Sequence, residues 1–129
     1  MLKVEETTKS IIGAGMEVLN TLRPGLDEKL YERALALEFK RRGCQVNQQK
    51  IYSVEYKGEI IGDLIPDLIV DNSVIVETKV ATEIHDVHIA QVLGYLNITG
   101  LEVEIILNFK SSKLTWKRLT TENKSAISV

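Results

Sequence analysis

The segment Val74-Ile75-Val76-Glu77-Thr78-Lys79-Val80 sets an acid and an amine two residues apart inside an apolar run. Read as a strand, with its period of two, it directs Val74, Val76, Thr78 and Val80 to one face and Ile75, Glu77 and Lys79 to the other. A carboxylate and an ammonium therefore project together. Upstream, Pro66-Asp67-Leu68-Ile69-Val70 reads as a second strand, and a three-residue connection, Asp71 to Ser73, pairs Val70 with Val74 and Asp67 with Glu77. Asn72 tolerates positive φ, which makes so short a loop feasible. In that register the two acidic side chains start from Cβ atoms about 4.5–5.5 Å apart. Facing carboxylates repel, and the repulsion is relieved if they share a hard divalent cation, which prefers oxygen ligands, or if one is protonated. A slip of one residue would place them on opposite faces, so the pairing is a definite structural expectation.

Two helical segments bring further polar groups. Glu28 falls on the stripe of Tyr31, Leu35 and Phe39, where an unpaired carboxylate is costly to bury and needs a partner. His88, Gln91 and Tyr95 are spaced i, i+3, i+7 and form a polar ridge that could face a ligand. Asp63, Glu83, His85 and Asp86 lie close to these candidates in sequence and read as loop or cap residues.

The elements that must position these groups follow from periodicity. A first helix is expected over about residues 5 to 21, with Ile12, Met16, Leu19 and Leu22 at helical spacing, before Arg23-Pro24-Gly25 interrupts it. A second runs to about Arg42, with one stripe of Leu26, Leu30, Ala34 and Leu37 and another of Tyr31, Leu35 and Phe39, and Gly43 as its stop. From Gln45 the composition turns β-branched and aromatic, and strands are expected near 46 to 56, 59 to 70 and 73 to 80, with Lys57-Gly58 and Asp71-Asn72-Ser73 as turns. A third helix, about 86 to 98, puts Ile89, Val92, Leu93 and Leu96 on one side before Gly100, and strands near 102 to 109 and 113 to 119 close the chain. This order predicts one α/β domain over residues 1–120, a mixed sheet covered by helices, and a tail over 121–129.

Composition narrows the classes. The chain has 129 residues, 44% of them hydrophobic and 26% charged, the balance of a single globular domain. One cysteine, Cys44, excludes an intramolecular disulfide, a four-cysteine zinc site and a cysteine-held iron–sulfur cluster, and suits a reducing, cytoplasmic setting. No stretch approaches the roughly 18 apolar residues of a membrane span, and MLKVEETTKS lacks the order of a signal peptide. A net charge of −2 and a pI near 5.7 argue against a protein that coats nucleic acid with a uniformly basic surface. A local patch is compatible with that charge, and Lys40, Arg41 and Arg42 supply one candidate, although these cations better suit a solvated helix C-terminus.

Together these residues resemble a known family. Pro66-Asp67 followed by Glu77-Thr78-Lys79 is similar to the PD and ExK motifs of the PD-(D/E)xK nuclease superfamily, and Gln91-Val92-Leu93-Gly94-Tyr95 resembles the QxxxY motif of its helicase-associated branch. Gly25-Leu26-Asp27-Glu28-Lys29-Leu30-Tyr31 matches the signature that names the GxxExxY family within it. The resemblance runs from about Ile11 to Phe109 and takes in Val87-His88-Ile89-Ala90-Gln91 and Leu107-Asn108-Phe109. Thr78 replaces the apolar residue common inside ExK, and a literal proline precedes Asp67 where relatives often differ. Neither change removes a ligand.

The resemblance implies a restriction-endonuclease-like core and a divalent-metal-dependent nuclease acting on DNA, in repair, recombination or defence. It implies Mg²⁺, with Mn²⁺ as a substitute, held by Asp67, Glu77 and the Thr78 carbonyl together with water and a phosphate oxygen. Lys79 would orient the attacking water or neutralise developing charge, Glu28 would hold a metal-bound water or a second cation, and Gln91 and Tyr95 would position the phosphate or the lysine, with His88 assisting. The bland reading of the same residues is a surface Glu77–Lys79 ion pair, a turn-initiating Asp67, a solvated Glu28 and a Tyr95 that only buries its ring. On that reading the chain is a catalytically silent module on a nuclease fold, binding nucleic acid or another partner. RNA stays open as a substrate, since nothing in the sequence identifies a reader of the 2′-hydroxyl, and symmetric cutting would require a homodimer.

Overall fold

The computed structural model of the chain describes residues 4–121. Helix α1 (Val4–Leu22) opens with Glu5 and Glu6 in its first turn, where carboxylates favour the positive end of the helix dipole. It ends where Arg23 takes φ 67° ahead of Pro24, which cannot continue a helix. Its buried face differs from the expected one: Ile11, Ala14, Gly15, Val18 and Leu19 face inward, while Met16 and Leu22 are 43% and 37% exposed. Small residues make this face. A Cβ on Gly15 would meet Leu114 at 3.0 Å and Leu107 at 3.1 Å, so the helix lies closer to the sheet than a face built on Met16 would permit.

Helix α2 (Glu28–Arg41) buries Tyr31, Leu35 and Phe39 completely. Its other stripe points outward, with Leu37 62% exposed, and the wall it shares with α1 is made by Val18, Leu22, Ala34 and Leu37. Gly43, at φ 83°, stops the helix, and the following N–H of Cys44 turns back to the Phe39 carbonyl at 2.9 Å.

The strands are β1 (Val46–Gln48), β2 (Tyr52–Tyr56), β3 (Glu59–Leu64), β4 (Leu68–Val70) and β5 (Val74–Lys79), followed by α3 (Asp86–Thr99), β6 (Val103–Asn108) and β7 (Thr115–Thr120). Five of them form a mixed sheet in the order β1-β4-β5-β6-β7, with β5 and β6 parallel across the α3 connection and every other pair antiparallel. The strands expected over 46 to 56 and 59 to 70 are each divided in two, and β2 with β3 forms a separate two-stranded sheet. One register nevertheless runs through the break: Val46 pairs with Val70, Gln48 with Leu68, Tyr52 with Leu64 and Val54 with Gly62, so neither strand gains or loses a residue on the way. The result is one ribbon, bent where Gln49 takes φ 57° opposite Ile65-Pro66-Asp67 and closed by Lys57-Gly58 at φ 49° and 87°. Proline, with no N–H to give the ladder, marks the bend.

The sheet separates two apolar cores. Ile11, Val18, Tyr31, Leu35 and Phe39 of α1 and α2 pack against Leu68, Val70, Val74, Val76, Ile105 and Leu107. On the other side Val92, Leu93 and Leu96 of α3 meet Ile69, Ile75, Ile106 and Leu119. Gly100 caps α3 at φ 78°, as its sequence predicts. No helix among the described residues is long and apolar enough to cross a membrane. From residue 122 on, the expected tail lies outside the described residues.

Candidate active site

The turn between β4 and β5 fixes the register on which the site depends. Asp71 and Asn72 both take φ 52°, and the Ser73 N–H bonds the Val70 carbonyl at 3.0 Å, closing a three-residue loop that pairs Val70 with Val74, Ile69 with Ile75 and Leu68 with Val76. Asp67 stands just before this ladder begins, near enough to Glu77 for its charge to act on that carboxyl. Val74 and Val76 enter the core under α1 and α2 while Ile75 enters the core under α3, so Glu77 and Lys79 lie on the α3 side.

Both acids are crowded. Burial, and after it the Glu32 charge, pushes the Asp67 carboxyl above the usual carboxylate range, against the opposing pull of Lys29, the Thr78 N–H and Lys79. Glu77 is 6% exposed and shifts the same way, by burial first and then by the Asp67 charge. Glu77 and Lys79 form no ion pair within 4.0 Å; the pairs among the described residues are Lys29–Glu32, Glu38–Arg42 and Glu83–His85. A surface salt bridge is therefore not what the acid and amine of this strand make.

Glu28 enters from the first turn of α2. It is exposed rather than buried with the Tyr31 stripe, and its partner is backbone: Oε1 accepts from the Val80 N–H at 3.0 Å, while its own carbonyl accepts from Thr78 Oγ1 at 3.3 Å. The residues around it explain how it is placed. Gly25, at φ 113°, makes the turn before the helix, and the Tyr31 hydroxyl donates to the Arg23 carbonyl at 2.6 Å and accepts from the Leu26 N–H at 3.1 Å. The Tyr31 ring stacks on Phe109 with centroids 4.5 Å apart. The Asn108 side-chain amide grips Ala81 twice, Oδ1 accepting from its N–H at 3.2 Å and Nδ2 donating to its carbonyl at 2.8 Å, and the Phe109 N–H bonds the Lys79 carbonyl at 2.9 Å. The strand end bearing Lys79 is thus held from two sides.

From α3, the Tyr95 hydroxyl accepts from Gln91 Nε2 at 3.5 Å. Its pKa is raised by burial and then by the Glu77 charge, with Asp67 and Glu104 acting in the same sense, so the phenol faces the acids. His88 is used elsewhere: its Nδ1 accepts from the His85 N–H at 3.3 Å and caps the start of the helix.

Two acids belong to this cluster that the sequence reading does not single out. Glu32 is 4% exposed, bonded to Lys29 Nζ and to Gln49 Nε2, each at 3.3 Å, and it ties α2 to the bend of the ribbon. Its position four residues after Glu28, on the same helix face, is the available signal. Glu104 is 0% exposed, and neither of its oxygens meets a donor. Its neighbour is the Glu77 carboxylate, another acceptor, so a bond between them needs a proton on one of the two. Burial, with Glu77 close by, pushes the Glu104 pKa up to about 10, which puts the proton on Glu104. An acid inside the apolar strand Val103-Glu104-Ile105-Ile106-Leu107 is the sequence mark of that position.

The donor set consists of oxygens, which suits a hard cation. Among the described residues no three His, Cys, Asp or Glu side chains enclose an ion between them. A pair of carboxylates with a backbone carbonyl nonetheless fits Mg²⁺, which keeps several waters and leaves room for a phosphate oxygen. A cavity of about 610 Å³ lies elsewhere, at the C-terminal end of α2 among Arg42, Gly43, Cys44, Gln45 and the β4–β5 turn. There Arg42 is bound to Glu38 at 2.7 Å and Asp71 accepts from the Gln45 N–H at 2.9 Å, so that cleft gathers at the opposite end of α2 from Glu28.

The sequence model of the PD-(D/E)XK nuclease superfamily matches residues 5–119. No curated protein and no solved structure matches the chain.

Proposed function

The chain belongs to the PD-(D/E)XK nuclease superfamily, and on that premise we propose that it is a divalent-metal-dependent nuclease that hydrolyses phosphodiester bonds in DNA. The observation that supports this reading most is the crowding of Asp67 and Glu77, whose carboxyls are both pushed toward protonation, with no ion pair to Lys79 within 4.0 Å among the described residues. Two crowded carboxylates with a free ammonium beside them form an arrangement that costs stability as it stands and gains from a cation.

Asp67, Glu77 and the Thr78 carbonyl would hold Mg²⁺. When bound, the ion supplies Lewis-acid stabilisation of charge on the phosphate and makes water acidic enough to attack near neutral pH. Lys79 orients that water and offsets negative charge as it develops. Glu28, anchored to the Val80 N–H, receives a proton or fixes a water at the edge of the site, and Gln91 and Tyr95 position the phosphate from α3. The chain works on DNA in the cytoplasm, in repair, recombination or defence.

Purified protein is expected to cut DNA with Mg²⁺ or Mn²⁺ and not with EDTA. Asp67→Asn and Lys79→Ala should each abolish cutting, with circular dichroism and melting temperature showing an intact fold. Cleavage that survives both substitutions would reject the proposal, and salt-sensitive binding of DNA with no cleavage would point to a silent module instead.

A further inference from the structure

The β6–β7 segment differs in charge from the rest of the chain. Four of the 16 basic residues, and none of the 18 acidic ones, lie between Ile105 and Thr121, in a chain of net charge −2. Lys110, Lys113, Lys117 and Arg118 are all exposed, and no ion pair within 4.0 Å among the described residues uses any of them. Strand pairing fixes where they stand relative to the acids. Ile106 pairs with Glu77 on one side and with Lys117 on the other, so these three residues form one row across β5, β6 and β7. Ile106 and Leu119 enter the core under α3, and the alternation along β7 puts Lys117 on that same face. Two strand spacings, about 10 Å, separate the backbones of Glu77 and Lys117.

Lys110 opens the β6–β7 loop at the Lys79 end of the sheet. Asn108 Oδ1 accepts from the Ala81 N–H at 3.2 Å and from the Lys110 N–H at 3.1 Å, which joins the segment after Lys79 to this loop. Lys113 follows in the same loop. Arg118 turns the other way and lines a cleft with Glu5 and Glu102. Lysine on an edge strand discourages pairing with other chains, and that alone would account for Lys117. It does not account for Lys110 and Lys113, which lie outside the ladder.

We propose that the β7 edge and the β6–β7 loop form the track that binds the phosphate backbone of a DNA duplex. Lys117 takes a phosphate flanking the one at Glu77, and Lys110 and Lys113 carry the contact past the end of the sheet. The inference rests on the nuclease reading of the site and extends it to the path of the substrate. Crowded acids repel a phosphodiester, so cations on one flank decide the side from which it approaches. The Lys40-Arg41-Arg42 group lies off that path, at the end of α2 where Gln45 bonds the Asp71 turn, and Arg42 is committed to Glu38.

The test is fluorescence anisotropy of a labelled duplex with the full chain in EDTA, over a series of salt concentrations. Replacing Lys110, Lys113 and Lys117 together by alanine should weaken binding by more than about 10-fold at 0.1 M salt and flatten the log–log salt dependence by about 2–3. Lys117→Ala alone should flatten it by about 1. Lys40→Ala with Arg41→Ala should leave affinity and slope as in wild type. An unchanged triple variant, or an equal loss in the Lys40 and Arg41 variant, overturns the track. If wild type nonetheless cuts DNA with Mg²⁺, the nuclease reading stands without it. Binding that depends on the three lysines, with no cleavage in Mg²⁺ or Mn²⁺, supports the track and removes the nuclease. A duplex that does not bind at all overturns the track.

Discussion

The two faces of β5 are made by alternate residues of one six-residue strand, yet they do opposite things. Toward α1 and α2, Val74 and Val76 meet a continuous apolar layer whose large side chains are fully buried. Toward α3, Ile75 is followed by Glu77, and around it gather Asp67, Glu104 and the Tyr95 hydroxyl. The first face stabilises the chain through removal of apolar surface from water. The second holds like charges in a place where burial penalises them, and so gives up stability for a site. A small domain can hold such a site because the other layer is dry and closely packed.

The sharpest way to break this contrast is to damage the dry face. Phe39→Ala, at a position with 0% exposure, should lower stability by about 3–5 kcal/mol in urea denaturation. A loss below about 1 kcal/mol would mean that the α2 face is not the support assigned to it.

The acidic face should respond with the opposite sign. Metal-free Glu104→Gln is expected to be more stable than wild type near pH 8, by about 1–3 kcal/mol. The pH dependence follows from the direction of the shift. The Glu104 pKa rises from an ordinary 4.5 to about 10 on folding, so its contribution is complete below the lower value and is lost as pH climbs toward the upper one. Asp67 and Glu77 are also raised and act in the same sense. The melting temperature of metal-free wild type should therefore fall between about pH 5 and 9, with a shallower slope in Glu104→Gln. A melting temperature that is flat or rises over that range would count against crowded acids.

Two smaller effects sharpen the boundary between support and site. Tyr31→Phe keeps the ring on Phe109 and deletes the hydroxyl that joins Arg23 to Leu26, at a cost of about 1 kcal/mol. Because that hydroxyl sets the start of α2, cleavage should drop by more than the stability change accounts for, while Phe109→Leu should do the reverse. The smallest effect expected is for Leu37→Gln, under about 0.5 kcal/mol, since Leu37 is 62% exposed and the α2 stripe that includes it faces outward.

That stripe shows where sequence reading stops. On α2 two apolar stripes compete, and only tertiary packing selects Tyr31, Leu35 and Phe39. On α1, counting large apolar residues favours Met16 and Leu22, whereas the contact is made by Ala14 and Gly15, because a helix approaches a sheet most closely where its side chains are small. The β4–β5 hairpin is legible from Val70–Val74 to Leu68–Val76: loop length and a residue tolerant of positive φ leave one register. The bend in the long ribbon is half legible. Pro66 announces it, but Gln49 takes φ 57° with nothing in its residue type to say so. Glu32 and Glu104 lie in a favourable helix and an apolar strand, where secondary-structure patterns draw the eye to the neighbours instead of to the acid.

The bend has a mechanical consequence. The pairing register is the same on both sides of the break, and at its edge the Gln49 N–H bonds the Asp67 carbonyl at 3.3 Å, so the outer hairpin and the sheet are two arms joined at one bend. Asp67 sits at that joint. The far tip, where Tyr56, Ile60 and Ile61 stand in solvent, is thus tied through backbone to the residue that carries this carboxylate.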